Sequence, residues 1–158
     1  MTGKIAVGGI TRTDGLVLMR ILGAPAGSGL EGRALSALGG KGTNIICVTS
    51  FLDRDGLNNL CFAINHDDLD QTLGILQSLQ DDIQAQNIEY QRHCCAISIY
   101  GPHFSERPAI GGTVFGSMAE AGVEILMTAS SFSTVSFVTN EEQAPDAVAK
   151  LQENFLVP

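Results

Sequence analysis

Hydrophobic residues along the chain alternate between strand-like runs and stripes at helical spacing, and this order occurs twice. In the first half, the apolar run Val17–Leu22 precedes a turn-rich loop and a stripe formed by Leu30, Ala34 and Leu38. Residues four apart lie on one face of a helix, so the pattern predicts a strand followed by an amphipathic helix. Two further strands, joined by the turn signal Asp55–Gly56, and a second helix complete this half.

The second half repeats the first with the same kinds of residue at a constant interval of 80 positions. The matched pairs are Leu30 and Ile110, Gly32 and Gly112, Ala34 and Val114, Leu35 and Phe115, Leu38 and Met118, Gly42 and Gly122, and Ile45 and Ile125. Gly42 and Gly122 stand where a helix commonly ends in glycine. We therefore predict two copies of a βαββαβ unit, each an α+β sandwich of the ferredoxin-like kind, with helices on one face of an antiparallel sheet.

The repeat divides the chain into a first copy over residues 16–92 and a second copy over residues 94–158. The second copy has no obvious fourth strand after Phe155. We expect the opening strand, residues 4–12, to supply it after turning at Asp14–Gly15, so that the two copies interlock. The strands are apolar enough that another sheet or chain should cover their open face and edges, and a homodimer is the economical arrangement.

Composition and charge narrow the classes of function. Hydrophobic residues make up 44% of the chain and charged residues 16%, which is typical of a folded protein. The formal net charge of -8 repels a phosphate backbone, so we expect no nucleic-acid partner. The apolar runs fall far short of the ~20 residues that a membrane helix needs, and the first residues lack the features of a signal peptide. We therefore expect a cytoplasmic protein with no membrane partner.

The residues that usually carry catalysis or bind metals form no recognisable constellation. The four cysteines contain no C-x-x-C pair, and Cys47 and Cys61 have the pattern of small apolar strand residues. Cys94 and Cys95 follow His93, which leaves a metal or redox role as an alternative, although neighbouring strand residues point to opposite faces. We expect no enzyme activity, no metal and no cofactor.

Two loops, each between the first strand and first helix of a copy, are candidate binding sites. Backbone N–H groups near a helix N-terminus can receive a carboxylate, and Gly27 and Gly29 permit close approach. His103 and Arg107 lie in the second loop, where an arginine can bind a carboxylate. The segments that open the second strands, Asn44–Ile45 and Glu124–Ile125, are expected at the same end of the sandwich. Alternatively, these are polar residues with no ligand.

This doubled order of elements resembles tandem ACT domains. In particular it is similar to the C-terminal regulatory region of aspartokinases, or to their separately translated β-subunits. The resemblance is carried by Gly9–Ile10, Asn44–Ile45, Asp55–Gly56, Asn87–Tyr90, Gly101, Pro108, Glu120–Val123, Ser130–Ser131 and Leu151–Phe155. It implies a non-catalytic module that binds a feedback inhibitor, lysine or threonine, at ACT–ACT interfaces. Binding would favour one conformation and so act on an aspartokinase catalytic chain.

The resemblance also implies which residues bind the amino acid. They are Ala26, Gly27, Ser28, Gly29, Asn44, Ile45, Ser105, Arg107, Pro108, Glu124 and Ile125. In the family the first loop usually reads Asp-x-Pro-Gly, and here Ala26 takes the place of the acid that would hold a ligand amine. Two alternatives stay open: a free-standing ACT sensor of another amino acid or small effector, and a structural dimerisation module without a ligand.

Overall fold

A computed structural model describes residues 3–102 and 104–158 of the chain. Two compact units are found in it. The middle unit is Gly15–Arg92, and the terminal unit combines the residues up to Asp14 with His93–Pro158. Within the described ranges, no helix is both long enough and apolar enough to span a bilayer.

The secondary structure follows the predicted order twice. In chain order the elements are β1 (Ile5–Ala6), β2 (Gly9–Pro25), α1 (Leu30–Gly40), β3 (Cys47–Leu52), β4 (Leu57–Asn65), α2 (Leu69–Ser78), α3 (Gln80–Ile83), β5 (Asn87–Tyr100), α4 (Ala109–Glu120), β6 (Met127–Ser130), β7 (Thr134–Asn140), α5 (Ala144–Asn154) and β8 (Phe155–Leu156). Short 3₁₀ turns, His66–Asp68, Phe104–Glu106 and Glu141–Gln143, precede α2, α4 and α5.

The middle unit has the strand order β3-β4-β2-β5, and β4 pairs antiparallel with both β2 and β3. The predicted helical stripe is confirmed, because Leu30, Ala34 and Leu38 are the buried residues of α1. They share one hydrophobic core with Phe62 of β4 and with α2. Leu18, on the opposite face of β2 from this core, is also fully buried. Both faces of the strand are therefore withdrawn from water.

The terminal unit has the matching order β2-β5-β7-β6, with β5, β7 and β6 paired antiparallel. The second predicted stripe is confirmed as well, since Ile110, Val114 and Met118 are buried on α4. Phe137 occupies the centre of this core, as Phe62 does in the middle unit. A separate parallel pairing joins β1 to β8, with Ile5 beside Phe155. The α+β sandwich and its repetition are therefore as predicted.

One predicted strand break is wrong. The sequence indicated a strand over residues 4–12 and a turn at Asp14–Gly15, whereas β1 ends early and β2 runs through Gly15 at a φ of 70°. The Asp14 carboxylate accepts a hydrogen bond from Arg12 Nε at 2.8 Å along the same strand. Strand β5 is also continuous through an unusual backbone conformation, since it includes His93, a non-glycine residue at a φ of 58°.

Candidate functional site

The first loop, Ala26–Gly29, is a tight turn that leads directly into α1. Ser28 donates its backbone N–H to the Pro25 carbonyl at 3.1 Å. Gly27 and Gly29 have φ values of 85° and 71°, which residues with a side chain rarely adopt. Gly29 is the N-cap of α1 and brings no side-chain hydrogen bond to it. The first turn of the helix therefore keeps backbone donors directed into this loop.

Ser28 and Arg33 give the loop its polar atoms. Arg33 Nε donates to the Ser28 carbonyl at 2.9 Å, which fixes the guanidinium along the loop. The Ser28 hydroxyl is shielded from solvent and has no hydrogen-bond partner in the described part of the chain. A buried hydroxyl without a partner is costly, so this atom is available to a ligand.

The second loop belongs to the terminal unit and has Arg107 next to Glu106. Arg107 Nη1 donates to the Ala6 carbonyl at 3.1 Å, and Pro108 is the N-cap of α4. Together with Lys4 and Ile110 these residues line an open cavity of about 600 Å³. His103 and the side chain of Ser105 lie outside the described residues, so the predictions that rest on them stay predictions.

Asn44, Ile45, Glu124 and Ile125 do not open strands as predicted, because β3 begins only at Cys47 and β6 only at Met127. Asn44 and Glu124 are exposed, and Ile45 and Ile125 pack against the cores of their units. In both units, the stretch between the first helix and the second strand has backbone groups that do not pair with a neighbouring strand.

The expectation that loop and strand start share one end of the sandwich is wrong. Along β4, Leu57 pairs with Pro25 at the loop end, whereas Ala63 pairs with Cys47 at the other end. At about 3.3 Å per residue, the two ends lie roughly 20 Å apart, farther than a free amino acid can reach. The terminal unit repeats this separation, because Tyr100 pairs with Thr134 while Glu124 contacts Thr139. No single unit therefore brings the predicted residues together.

Glu124 is held by a hydrogen-bond network inside the terminal unit. The Gln143 side chain accepts from the Glu124 N–H at 3.0 Å and donates to the Gly122 carbonyl at 3.0 Å. The Thr139 hydroxyl donates to the Glu124 carbonyl at 2.5 Å, and Asn140 donates to the Glu124 carboxylate at 3.2 Å. Backbone and side chain of Glu124 are thus both occupied by the chain itself.

Asn44, the counterpart of Glu124 in the middle unit, differs from it in hydrogen bonding. Among residues 3–102 and 104–158, its side chain makes no hydrogen bond. The hydroxyls of its neighbour Thr43 and of Thr72 on α2 are buried and have no partner within those ranges. Between α2 and the residue that follows α1, Gln71 Nε2 donates to the Lys41 carbonyl at 3.3 Å. Polar groups around Asn44 therefore remain available.

Glu31, in the first turn of α1, is a candidate that sequence reasoning missed. Asn58 Nδ2 donates to Glu31 Oε1 at 2.6 Å, and the Ser50 side chain lies near the carboxylate. The hydrogen bond from Asn58 is the main reason why the pKa of Glu31 lies below its usual value. A glutamate two residues after a helix N-cap is common in sequences, and only the fold brings β3 and β4 beside it.

The four cysteines, Cys47, Cys61, Cys94 and Cys95, are buried thiols with no disulfide. Burial raises the pKa of Cys47 and raises that of Cys95 to about 11, so both are neutral at physiological pH. In the described ranges, no three His, Cys, Asp or Glu side chains cluster closely enough to hold a metal ion.

Comparisons with known proteins identify the architecture. A family model described as "ACT domain" matches residues 97–155. The matched residues lie within the terminal unit. An aspartokinase from Bacillus sp. (strain MGA3) is 26% identical over 98% of this chain, and the chain spans 38% of that relative.

Solved structures extend the likeness to the whole chain. The ligand-free regulatory subunit of aspartate kinase from Thermus thermophilus matches with a TM-score of 0.85 and 19% identity, over 95% of this chain and 99% of that chain. A structure described as aspartokinase alpha and beta subunits matches with a TM-score of 0.84 and 24% identity, over 94% and 97%. The fold of this chain is therefore similar to the folds of these two chains over most of its length.

Proposed function

We propose that this chain is a non-catalytic regulatory module that binds an amino-acid effector, lysine or threonine, as an aspartokinase regulatory part or subunit. The observation that carries the proposal is the match to a regulatory subunit over nearly the whole of both chains. The glycine-bearing loop ahead of α1 supports it, because such a loop can receive the carboxylate of an amino acid. The two copies, 16–92 and 94–158 completed by residues 4–12, are the proposed ACT domains.

The effector would bind between two chains of a homodimer. Because loop and strand start of one unit lie roughly 20 Å apart, one ligand can touch both only if they come from different ACT copies. Strand β3 lies at the edge of its sheet, and Val48, Phe51 and Leu52 on it are 41%, 56% and 65% exposed. An apolar edge with free backbone groups favours pairing with a second copy of the chain.

Regulation would follow from a shift between conformations. An effector that binds one arrangement of the interface more tightly favours it, and an associated aspartokinase catalytic chain would respond to that change. A relative whose structure holds alpha and beta subunits supports such a partner. We further propose that the protein acts in the cytoplasm, without a cofactor.

A second candidate function is a free-standing ACT sensor of another amino acid or small effector. It is favoured by Ala26, which stands where the family usually has the loop acid. A third, a dimerisation module without a ligand, would leave the proposed site residues without a role in binding: Ala26, Gly27, Ser28, Gly29, Asn44, Ile45, Ser105, Arg107, Pro108, Glu124 and Ile125.

Thermal unfolding in the presence of single amino acids tests the proposal. A ligand that binds only the folded state raises the midpoint, so lysine or threonine should raise it and the Asn44→Ala variant should not respond. A rise with a different amino acid alone would support the sensor. Unchanged midpoints with every amino acid, for a well-folded dimer, would contradict both and favour the dimerisation module.

A further inference from the structure

We propose that Glu31 is the residue of the middle unit that binds the ammonium group of the amino-acid effector. This inference rests on the proposed function and deepens it. Glu31 would replace the acid that the first loop lacks, since Ala26 has no charge. The carboxylate would come from the first turn of the helix and not from the loop itself.

Position and orientation make Glu31 suitable. It follows the N-cap Gly29 by two residues, beside the loop that the effector is proposed to enter. Asn58, at the start of β4, donates to Oε1 at 2.6 Å. The Ser50 side chain of β3 lies near enough to lower the pKa of the carboxyl group further. A neutral amide therefore orients the carboxylate without neutralising it. A preoriented charge loses less entropy when it binds a ligand.

The charge of Glu31 has no counter-ion in the described part of the chain. The nearest cation along the helix, Arg33, is engaged with the Ser28 carbonyl at 2.9 Å and approaches Asp82 at 4.0 Å. The lowered pKa of Glu31 keeps its carboxylate ionised at neutral pH. An ammonium group bound here would form a charge-assisted hydrogen bond.

The terminal unit lacks this arrangement. By the repeat interval, Gly111 takes the place of Glu31 and has no side chain to offer. Its loop has Glu106 beside Arg107, but the first turn of α4 contains no acidic residue. A carboxylate in the first helical turn after the loop is therefore a property of the middle unit alone, and so is any selectivity for amino acids that depends on it.

Calorimetric titration of the full chain with L-lysine and L-threonine tests the inference. Each amino acid is compared with the same molecule lacking its α-amino group. Glu31→Gln keeps the size of the side chain and removes its charge. We expect it to weaken binding of the amino acid at least about ten-fold and to leave binding of the deaminated molecule unchanged.

Glu89→Gln is the matched control. Glu89 lies in the same unit and is also held by an asparagine, because Asn87 donates to its Oε1 at 2.6 Å. This variant should bind like the unmodified chain. Equal affinity of Glu31→Gln and the unmodified chain for the amino acid would overturn the inference and leave the proposed function standing. The inference would also be overturned if Glu31→Gln weakened binding of the amino acid and of its deaminated counterpart equally. If the unmodified chain binds neither amino acid, the proposed function fails, and the inference fails with it.

Discussion

The two segments between helix and second strand, around Asn44 and Glu124, differ although they occupy equivalent places. The N–H, carbonyl and carboxylate of Glu124 form hydrogen bonds with Gln143, Thr139 and Asn140, respectively. The Asn44 side chain makes no hydrogen bond within the described ranges. The two segments therefore share one backbone topology. The polar groups of Glu124 are hydrogen-bonded within the chain, whereas the side chain of Asn44 is free to bind a partner molecule.

One position contributes directly to this difference. Where the terminal unit has Gln143, the middle unit has Asp68. An amide both donates and accepts, so Gln143 bridges the Gly122 carbonyl and the Glu124 N–H. A carboxylate only accepts and cannot make this bridge. The two copies share one fold, so any difference in what they bind comes from individual side chains.

The largest expected effect concerns the two sheet edges. Val48 on β3 and Thr128 on β6 are equivalent and both exposed, but β3 is the longer strand and carries the apolar residues. If β3 is the dimer edge, Val48→Lys should raise the dimer dissociation constant at least about 100-fold, because it buries a charge at the interface. Sedimentation equilibrium measures this constant.

Thr128→Lys is the matched control for that experiment and should leave the dissociation constant unchanged. A dimer that resists Val48→Lys and dissociates with Thr128→Lys would place the interface on the terminal unit. In that case the comparison of the two edges would be reversed.

The second-largest expected effect concerns the hydrogen bonds of Gln143 to the Gly122 carbonyl and the Glu124 N–H. Gln143→Ala should lower the free energy of unfolding by about 1–2 kcal/mol, because it removes the two solvent-exposed hydrogen bonds to the Glu124 N–H and the Gly122 carbonyl. Asp68→Ala, at the equivalent half-buried position, should change it by less than about 0.5 kcal/mol. Urea unfolding gives both values. Equal losses in the two variants would show that the bridge contributes nothing specific to the terminal unit.

The smallest expected effect concerns the buried hydroxyls of the middle unit. Thr43 is 5% exposed, its hydroxyl has no partner in the described part of the chain, and its counterpart is Val123. Thr43→Val should therefore raise the free energy of unfolding by about 1 kcal/mol, and Val123→Thr should lower it. Thermal or urea unfolding of both variants measures the change. Destabilisation by Thr43→Val would mean that this hydroxyl is bound by an ordered water.

Much of the fold could be predicted because it depends on spacing. The stripes Leu30–Leu38 and Ile110–Met118 and the glycines at 42 and 122 follow from helix periodicity and helix ends, which are local properties. The continuity of β2 through Gly15 could not be predicted, since Asp14–Gly15 is locally a turn signal and only pairing along the strand overrides it.

The candidate site was less accessible to sequence reasoning. The loop Ala26–Gly29 and its glycines could be located from the pattern, but the distance from the loop to Asn44 depends on strand register. Glu31 depends on Asn58 and Ser50, which are distant in sequence and reach it only through the antiparallel hairpin. Side-chain networks of this kind depend on tertiary contacts that no local period encodes.

The terminal unit is built from two separate stretches of chain, the residues up to Asp14 and those from His93 onward. During synthesis the first stretch leaves the ribosome long before its partners exist, whereas Gly15–Arg92 is continuous and can fold as soon as it emerges. Closing a loop of that length is slow, because the chain entropy is lost before the distant strands pair. Assembly of the terminal unit is therefore expected to be the last folding event of the chain.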